Sequence, residues 1–586
     1  MIKFLSSYIH RFRNRFEVND SSQGIIDHCP HRPTLLFVCS IIFCSIYLLI
    51  LQPSWVLSGE MWAEMATNYY INANSPSLLQ NFFATDAGYI PLPPRIIALS
   101  ASALNLPAQF IPYFYTWSAI FATALMVGSF CLRAFRRLIE NDFLRFLMVI
   151  AILMVVDFES RTFINFTYFS VFFIGVLTAL AFVEKTHESP WWSWLIPVLI
   201  LTKPATLAIL PAMVLTALVS NRRFKNITLV SIVVGSIQII QLIISQKSGA
   251  MPLLQLADST FTSKILTTFS YFFGFIGQYT LGPTFNLLKL SPLTLISIGF
   301  AVFCVFIGFI VYGKKPSVFL IVIGLSLVFF QLLINSFGMS VLWNEDLVRL
   351  QNVEFSRMTL VIWFGITLIV GGVSTQFCSD FQFYNIRINY FPIVIFVLWF
   401  VASGWALQAI KISKRPPFPI TANSQWQLMS PLINSDNSPL CVPIDPIGWI
   451  YQKNCRQLNP DIAWGPLLTY LDLFNENSSS KITISIPHKF SDNNLLAFSI
   501  PTKPYQKKSS LPITVKALLI MKDGNNHLLF GEKKLKYSGG AIMIKTNDPI
   551  PIKEIQAITL EFDHHVSIGM TNFNGIEEPA IVWMGN

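Results

Sequence analysis

Residues 292–312, PLTLISIGFAVFCVFIGFIVY, and 317–335, SVFLIVIGLSLVFFQLLIN, contain no charged side chain, and only Gly313-Lys314-Lys315-Pro316 separates them. Each approaches the ~20 residues that an α-helix needs to cross a hydrocarbon core about 30 Å thick. A segment in lipid must satisfy every backbone N–H and C=O internally, so these runs are expected to be helices. Similar apolar runs lie at about 33–52, 111–131, 143–156, 167–183, 191–202, 204–219, 227–245, 358–373 and 391–410. The sequence therefore predicts a polytopic α-helical membrane protein with about eleven spans, several of them short.

Composition points the same way. Of 586 residues, 53% are hydrophobic and 12% charged, where an ordinary soluble domain has about 25% charged. No soluble fold of this size could cover itself with water-compatible surface on that composition, which makes lipid the main solvent. The net charge of +10 is first a question of topology. Residues 1–32 carry Lys3, Arg11, Arg13, Arg15 and Arg32 and are expected to be cytoplasmic. Alternating sides from there puts Arg133, Arg136, Arg137, Arg145, Arg222, Arg223, Lys225, Lys314 and Lys315 inside, a positive-inside bias. The bias holds only if the stretch 265–290 does not cross completely, so an interfacial or re-entrant element on the outer face is expected there.

An odd number of spans leaves everything after residue 410 outside. The expected division is a cytoplasmic segment 1–32, a transmembrane domain 33–410 with a long first outer loop 53–110, and a periplasmic domain 411–586. The last begins with the linker Lys414-Arg-Pro-Pro-Phe-Pro419. Its β-branched stretches from Lys481, Leu495 and Ile513, with Asp523-Gly-Asn-Asn as a turn, predict an all-β sandwich or jelly roll. Of eight cysteines only Cys441 and Cys455 fall in this domain. They are expected to form a disulfide in an oxidising periplasm, two buried thiols being the alternative.

Familiar catalytic signatures are missing from the sequence: no Gly-x-x-x-x-Gly-Lys-Ser/Thr loop, no Gly-x-Gly-x-x-Gly, no His-Glu-x-x-His and no Asp-x-Asp. Nucleotide-driven chemistry is disfavoured, no cofactor is expected, a divalent metal is possible but not indicated, and nucleic acid is not an expected partner. Instead, polar groups gather at the expected outer membrane edge. The first outer loop reads Ser58-Gly59-Glu60-Met-Trp-Ala-Glu64, then Tyr69-Tyr70, then Asp86-Ala-Gly-Tyr-Ile-Pro-Leu-Pro-Pro-Arg95. Glu60 and Glu64, at i and i+4, would share one face of a helix starting near Ser58, with Tyr69 and Tyr70 packing it onto the bilayer surface. A carboxylate in a partly apolar groove can act as a general base, although acids near helix N-termini are often caps.

Three further groups lie on the same expected side. Glu159, Arg161, Asn165 and Tyr168 follow the third span, and Asn165 and Tyr168 at i and i+3 could face a sugar. Lys203 precedes Pro204 in a tight turn between short apolar helices, where a bound phosphate would offset its opposition to the helix dipole. Arg357 enters the membrane edge one turn after Glu354, which could equally be its partner. Transporters generally hold ionisable groups near the midplane, and here the expected spans have none of comparable interest.

In this order, the basic start, one span, the long loop with Glu60 and Asp86, the Glu159-x5-Asn165-x2-Tyr168 stretch, Lys203-Pro204, Arg357 and the soluble tail, the chain resembles the GT-C superfamily of membrane glycosyltransferases. The resemblance covers about residues 30–410. It implies an inverting hexosyltransferase of the bacterial inner membrane, similar to enzymes that modify O-antigen and other surface polysaccharides in the periplasm. The donor would be a polyprenyl (undecaprenyl) phosphate sugar, and the acceptor a polysaccharide or lipid-linked glycan. Glu60 or Asp86 would be the catalytic base, and Glu64, Arg95, Glu159, Asn165, Tyr168, Lys203 and Arg357 would contact substrate, with Lys203 and Arg357 stabilising the phosphate. The family's usual Asp-Glu pair after the first span is here Gly59-Glu60, which leaves the choice of base open. Trp426, Trp449, Tyr451 and Trp464 are candidates for stacking on acceptor sugars, or for core. The rival expectations are a polysaccharide polymerase or ligase and a lipid-linked oligosaccharide flippase, the last kept open by Gln238, Gln241 and Gln331.

Overall fold

A computed structural model describes residues 33–154, 157, 159–184, 189–247, 260–282, 290–338, 343, 345–351, 356–377, 382–383, 386–387, 390–406, 425–435, 438–446, 449–458, 469–473, 480–486, 491–505, 511–535, 540–573 and 576–586. The chain forms two compact units. The first comprises Met1–Leu51, Ser77–Ile97 and Trp117–Pro417, and the second Gln52–Pro76, Ala98–Thr116 and Phe418–Asn586. The expected segment 1–32, the linker 414–419, Glu354 and Trp464 lie outside the described residues.

Among the described residues six helices are long and apolar enough to cross a bilayer: Pro33–Leu51, Ile111–Cys131, Phe166–Val183, Arg222–Ser245, Pro292–Tyr312 and Val318–Gly338. Their starts are written locally. Ser291 accepts from the Thr294 amide at 3.2 Å, with Pro292 in the first turn. Leu35, Ile42, Ile46 and Ile50 on the first helix, and Leu293, Phe300 and Val305 on the fifth, are exposed; apolar side chains along such a helix are solvated by lipid. Val318–Gly338 and Leu360–Gln376 meet through a glycine pair. A Cβ on Gly324 would stand 2.4 Å from the Gly365 carbonyl oxygen, and one on Gly365 2.7 Å from that of Gly324, so the backbones touch directly.

Four of the other runs form shorter apolar helices, Trp191–Ile200, Pro204–Ala217, Leu360–Gln376 and Phe391–Trp405, and the run at 143–156 gives the helix Asp142–Leu153. At ~1.5 Å per residue the first of these covers about half the hydrocarbon core. Of the stretch 265–290, expected to be interfacial or re-entrant, residues 265–281 belong to one helix, Phe261–Leu281, of 21 residues and about 31 Å, and 283–289 lie outside the described residues. Thr267, Thr268, Gly274, Gly277 and Gln278 dilute its hydropathy, and all five are buried against neighbouring helices. Three arginines counted towards the inside charge are also structural. Arg136 Nη2 and Arg145 Nη2 lie 2.6 and 2.5 Å from opposite oxygens of buried Asp142, and Arg137 pairs with Glu184. Desolvation pushes the Glu184 carboxyl up to about 7, against the pull of Arg137.

A short ladder of β1 (Gln382–Phe383) and β2 (Ile386–Arg387) belongs to the first unit. Among its described residues the C-terminal region of the second is β apart from the helix Trp426–Asn434 and a 3-10 turn at Ile552–Glu554. It runs β3 (Leu440–Ile444), β4 (Trp449–Lys453), β5 (Arg456–Gln457), β6 (Thr469–Leu473), β7 (Ser480–Ile484), β8 (Asn494–Pro504), β9 (Leu511–Met521), β10 (Asn526–Leu535), β11 (Gly540–Pro551), β12 (Ile555–Phe562), β13 (Val566–Phe573), β14 (Ile576–Pro579) and β15 (Val582–Gly585). One antiparallel sheet has the order β10-β9-β12-β7. The other follows β14-β13-β8-β15-β5, with β11 on β8 and β6 on β13. Inward residues alternate, Ile513, Val515, Ala517 and Leu519 on β9 joining Phe498 and Ile500 on β8 in one hydrophobic cluster. Asp523 turns β9 into β10, its carboxylate accepting from the Asn525 amide at 2.9 Å while Gly524 takes φ +86°. Cys441 and Cys455 are disulfide-bonded, Cα atoms 6.5 Å apart.

Candidate functional site

The sequence Asp86-Ala87-Gly88-Tyr89 folds back on itself. Ala87 and Gly88 both have positive φ, 45° and 84°, as a two-residue primed turn demands, and Asp86 and Tyr89 exchange N–H···O=C bonds of 2.9 and 3.1 Å. An alanine in the left-handed region costs about 1 kcal/mol or more and persists only where its surroundings dictate it. Here the turn brings the Tyr89 hydroxyl to Asp86 Oδ2, to which it donates at 3.2 Å. Lys203 Nζ donates to the same hydroxyl and stands 4.7 Å from the centre of the Tyr89 ring. Asp86, Tyr89 and Lys203 are all buried.

The two segments of this cluster are clamped together. The Leu92 amide donates to the Leu201 carbonyl at 2.8 Å. Gln238 accepts from the Ile90 amide at 3.1 Å and donates to the Thr202 carbonyl at 2.6 Å, bridging both sides. Ser245 donates to the Gly88 carbonyl at 3.2 Å. Arg95, expected to touch substrate, is 1% exposed and donates through Nε to the Ala84 carbonyl at 3.1 Å, so it holds the loop. Lys203 precedes the 3-10 turn Pro204–Ile209, whose first residue, Pro204, has no N–H to leave unsatisfied. Gln238 is a brace, Gln241 donates to Ser245 at 3.1 Å and Gln331 to Asn335 at 2.8 Å. Gln241 and Gln331 thus bond one turn along their own helices, while Gln238 ties the Ile90 and Thr202 backbone together.

Elsewhere in the first unit, Arg357 Nε lies 3.5 Å from Glu159 Oε2, both side chains a little over two-fifths exposed. Glu159 therefore faces Arg357, while Arg161 turns inward and stacks 5.1 Å from the centre of the Tyr47 ring. An exposed pair of this kind stabilises the fold by under about 1 kcal/mol. Asn165 is 3% exposed and donates to the Glu159 carbonyl at 2.8 Å, which fixes the turn ahead of the helix. Tyr168 is likewise buried.

Glu60 and Glu64 lie in the second unit, and the helix expected to carry both is not there. Ala63 between them takes φ 45° and its amide donates to the Asp445 carbonyl at 2.5 Å; the helical turn begins only at Met65. Glu60 instead caps a distant helix. Its Oε2 accepts from the Trp426 amide at 2.9 Å, and the Gln427 amide lies 3.4 Å away, at the start of Trp426–Asn434. Gly59 has φ +68°, and a Cβ there would fall 2.4 Å from the Tyr113 ring, so no acid fits at the position before Glu60. Tyr69 is fully buried, and Tyr70 packs edge-on against Trp426 and Tyr451, ring centres 5.1 and 5.8 Å away, rather than onto a bilayer surface. Trp426 is 0% exposed with its indole N–H donating to the Ala108 carbonyl at 2.7 Å; Trp426 and Tyr451 are core and cannot stack on sugar.

The structure thus brings Asp86 together with Lys203, and Glu159 with Arg357, and gives Glu60 and Arg95 structural partners. Tyr89, which joins the first pair, is the residue the sequence reading passed over. Its signal was the turn, since a two-residue turn after Asp86 necessarily sets position 89 opposite it. Among the described residues no three His, Cys, Asp or Glu side chains gather as a metal-binding group. No family model matches this chain, nor does any curated protein or solved structure.

Proposed function

We propose that this protein is an inverting glycosyltransferase with about eleven membrane crossings, its N-terminus in the cytoplasm and its β-rich region in the periplasm of a bacterial inner membrane. It would move a hexose from a polyprenyl phosphate carrier to a surface glycan or lipid-linked acceptor, as the resemblance to the GT-C superfamily implies. The observation that carries this reading is the Asp86–Tyr89–Lys203 cluster. An acid and a lysine, buried and joined through one hydroxyl, offer a proton acceptor and an anion site in a single place.

Asp86 is the base in this proposal, because the Glu60 carboxylate is committed to backbone amides. The acceptor hydroxyl oxygen attacks the anomeric carbon opposite the phosphate. The bond from that carbon to the phosphate oxygen breaks, and its electron pair leaves with the carrier phosphate. The hydroxyl proton passes to Asp86. Lys203 exchanges the Tyr89 hydroxyl for a phosphate oxygen and stabilises the charge developing there, with Arg357 as a second cation. A flippase has less support, since the glutamines that suggested a polar path are engaged by protein groups, Gln238 with the Ile90 and Thr202 backbone, Gln241 with Ser245 and Gln331 with Asn335.

Membranes supplied with labelled polyprenyl phosphate hexose test the reading. Asp86→Asn keeps the side-chain shape, and label transfer into glycan or lipid is expected to fall at least ~100-fold, the usual contribution of a general base. Undiminished transfer in Asp86→Asn refutes the assignment of the base, and no transfer by the unaltered protein refutes the function.

A further inference from the structure

The second unit contains a cavity of about 550 Å³, within the ~300–1,000 Å³ typical of small-ligand sites. Its wall combines two kinds of surface. Ala98, Ile111, Tyr115 and Ile433, each nearly or fully buried, form an apolar floor. Asn74, Ser102, Asn105, Gln109 and Asn434 supply amides and one hydroxyl, and no charged residue lines it among the described ones.

These polar groups are held in place. Ser102 Oγ donates to Asn74 Oδ1 at 3.1 Å, and Asn74 Nδ2 to the Tyr70 carbonyl at 2.9 Å. Asn434 Oδ1 accepts from the Ala108 amide and Nδ2 donates to Gln109 Oε1, each at 2.7 Å. Gln427 Nε2 donates to the Gln109 carbonyl at 2.8 Å. A primary amide has two N–H groups and two lone pairs on oxygen, so Asn74 and Asn434 keep both donor and acceptor capacity after these bonds. Asn105 holds φ 49°, a left-handed conformation that asparagine tolerates well.

We propose that this cavity binds a neutral oligosaccharide. A pyranose presents hydroxyls that both donate and accept, matching amides that do the same, and a C–H face that packs on an apolar floor. A phosphate or other anion has no cation here to offset its desolvation. A purely apolar ligand would strip water from the amide rim without replacing its hydrogen bonds. Binding rests on the cavity alone. Naming the bound glycan as the acceptor rests on the transferase reading.

The test is saturation-transfer NMR on the full-length protein in nanodiscs. The probes are neutral tri- and tetrasaccharides built from glucose, galactose, mannose, rhamnose and N-acetylglucosamine, with glucose 6-phosphate and glucuronate as anionic controls. At least one neutral probe is expected to show saturation transfer and the anions none. Ser102→Trp, which fills the cavity, should abolish the signal. Asn105→Gly, which keeps the left-handed backbone and removes one amide, should weaken it at least ~3-fold while leaving the melting temperature unchanged. Silence from every neutral probe, or equal signals in both variants, overturns the proposal. Cavity binding with no label transfer would instead reject the transferase reading, and transfer with an inert cavity would reject only the cavity.

Discussion

Glu60→Ala removes a carboxylate from the N-terminus of Trp426–Asn434, where Trp426 N–H donates to it at 2.9 Å and Gln427 N–H stands at 3.4 Å. Gln425, the helix's own capping residue, makes no side-chain cap bond, so Glu60 acts as the cap from 366 positions away. Losing a cap costs about 1–2 kcal/mol, and losing the negative charge at the positive end of the helix dipole adds about 0.3–1 kcal/mol. The second contact is too long to add much. The expected loss is therefore about 2 kcal/mol. For a unit of roughly 200 residues this corresponds to a fall of about 4–8 °C in melting temperature. Trp426 lies in the core beside the lost bond, so its fluorescence during thermal unfolding in detergent reads the change directly. Glu60→Gln retains an acceptor oxygen and should lose about half as much. Both variants, assayed below their transition, should keep the sugar transfer proposed for the unaltered protein. Normal melting in Glu60→Ala together with lost transfer would refute this account and return Glu60 to the chemistry.

Two further outcomes are expected of the β-rich region. The disulfide closes a loop of 14 residues between Cys441 and Cys455, so Cys441→Ser should destabilise it by about 3 kcal/mol, and thermal unfolding with and without reductant should show the same difference. Lys533 lies on the inward face of β10 with Leu529, Gly531 and Leu535, and burial draws its ammonium down to about 8 from an ordinary 10.5. Below pH ~8 both folded and unfolded states carry the charge and the fold bears its desolvation; as pH rises from about 8 to 10.5 the folded state releases the proton first and stability recovers. Lys533→Met should raise stability by about 1 kcal/mol at pH 7, allowing for solvent that still reaches this half-buried side chain, and the gain should shrink as pH rises from about 8 and vanish only above about 10.5. Equal melting of the two proteins at pH 7 would contradict it.

What the sequence made legible was local. The uncharged runs at 292–312 and 317–335 became Pro292–Tyr312 and Val318–Gly338, because an apolar backbone in lipid has few alternatives to the helix. The Asp523 turn was equally readable, since its pairing is between neighbours. Phe261–Leu281 was harder to read, for a physical reason. Hydropathy measures preference for lipid, and a helix whose Thr, Gly and Gln are buried among other helices need not meet that preference. The same limit affects charge counting, where Arg136 and Arg145 answer to Asp142 rather than to the membrane surface.

The candidate site divides along similar lines. Asp86 and Lys203 were each visible as a charge in an unfavourable setting, yet what unites them is a tyrosine hydroxyl whose position follows from the sign of φ at residues 87 and 88. Glu60 was visible too, and its spacing to Glu64 suggested a helix face; nothing within ten residues announces that Ala63 breaks that helix to meet Asp445. Trp426 shows the converse, an aromatic that looks available to a sugar until Ala108, Tyr70 and Tyr451 enclose it from elsewhere in the chain. Local pattern can nominate an ionisable or aromatic side chain, but its task depends on what distant segments bring to it. A carboxylate met by two backbone amides serves as a cap, whereas one that accepts from a tyrosine hydroxyl, itself bonded by a buried lysine, is placed for the proposed proton transfer. That contrast, more than spacing, is why the proposed chemistry rests on Asp86 and not on Glu60.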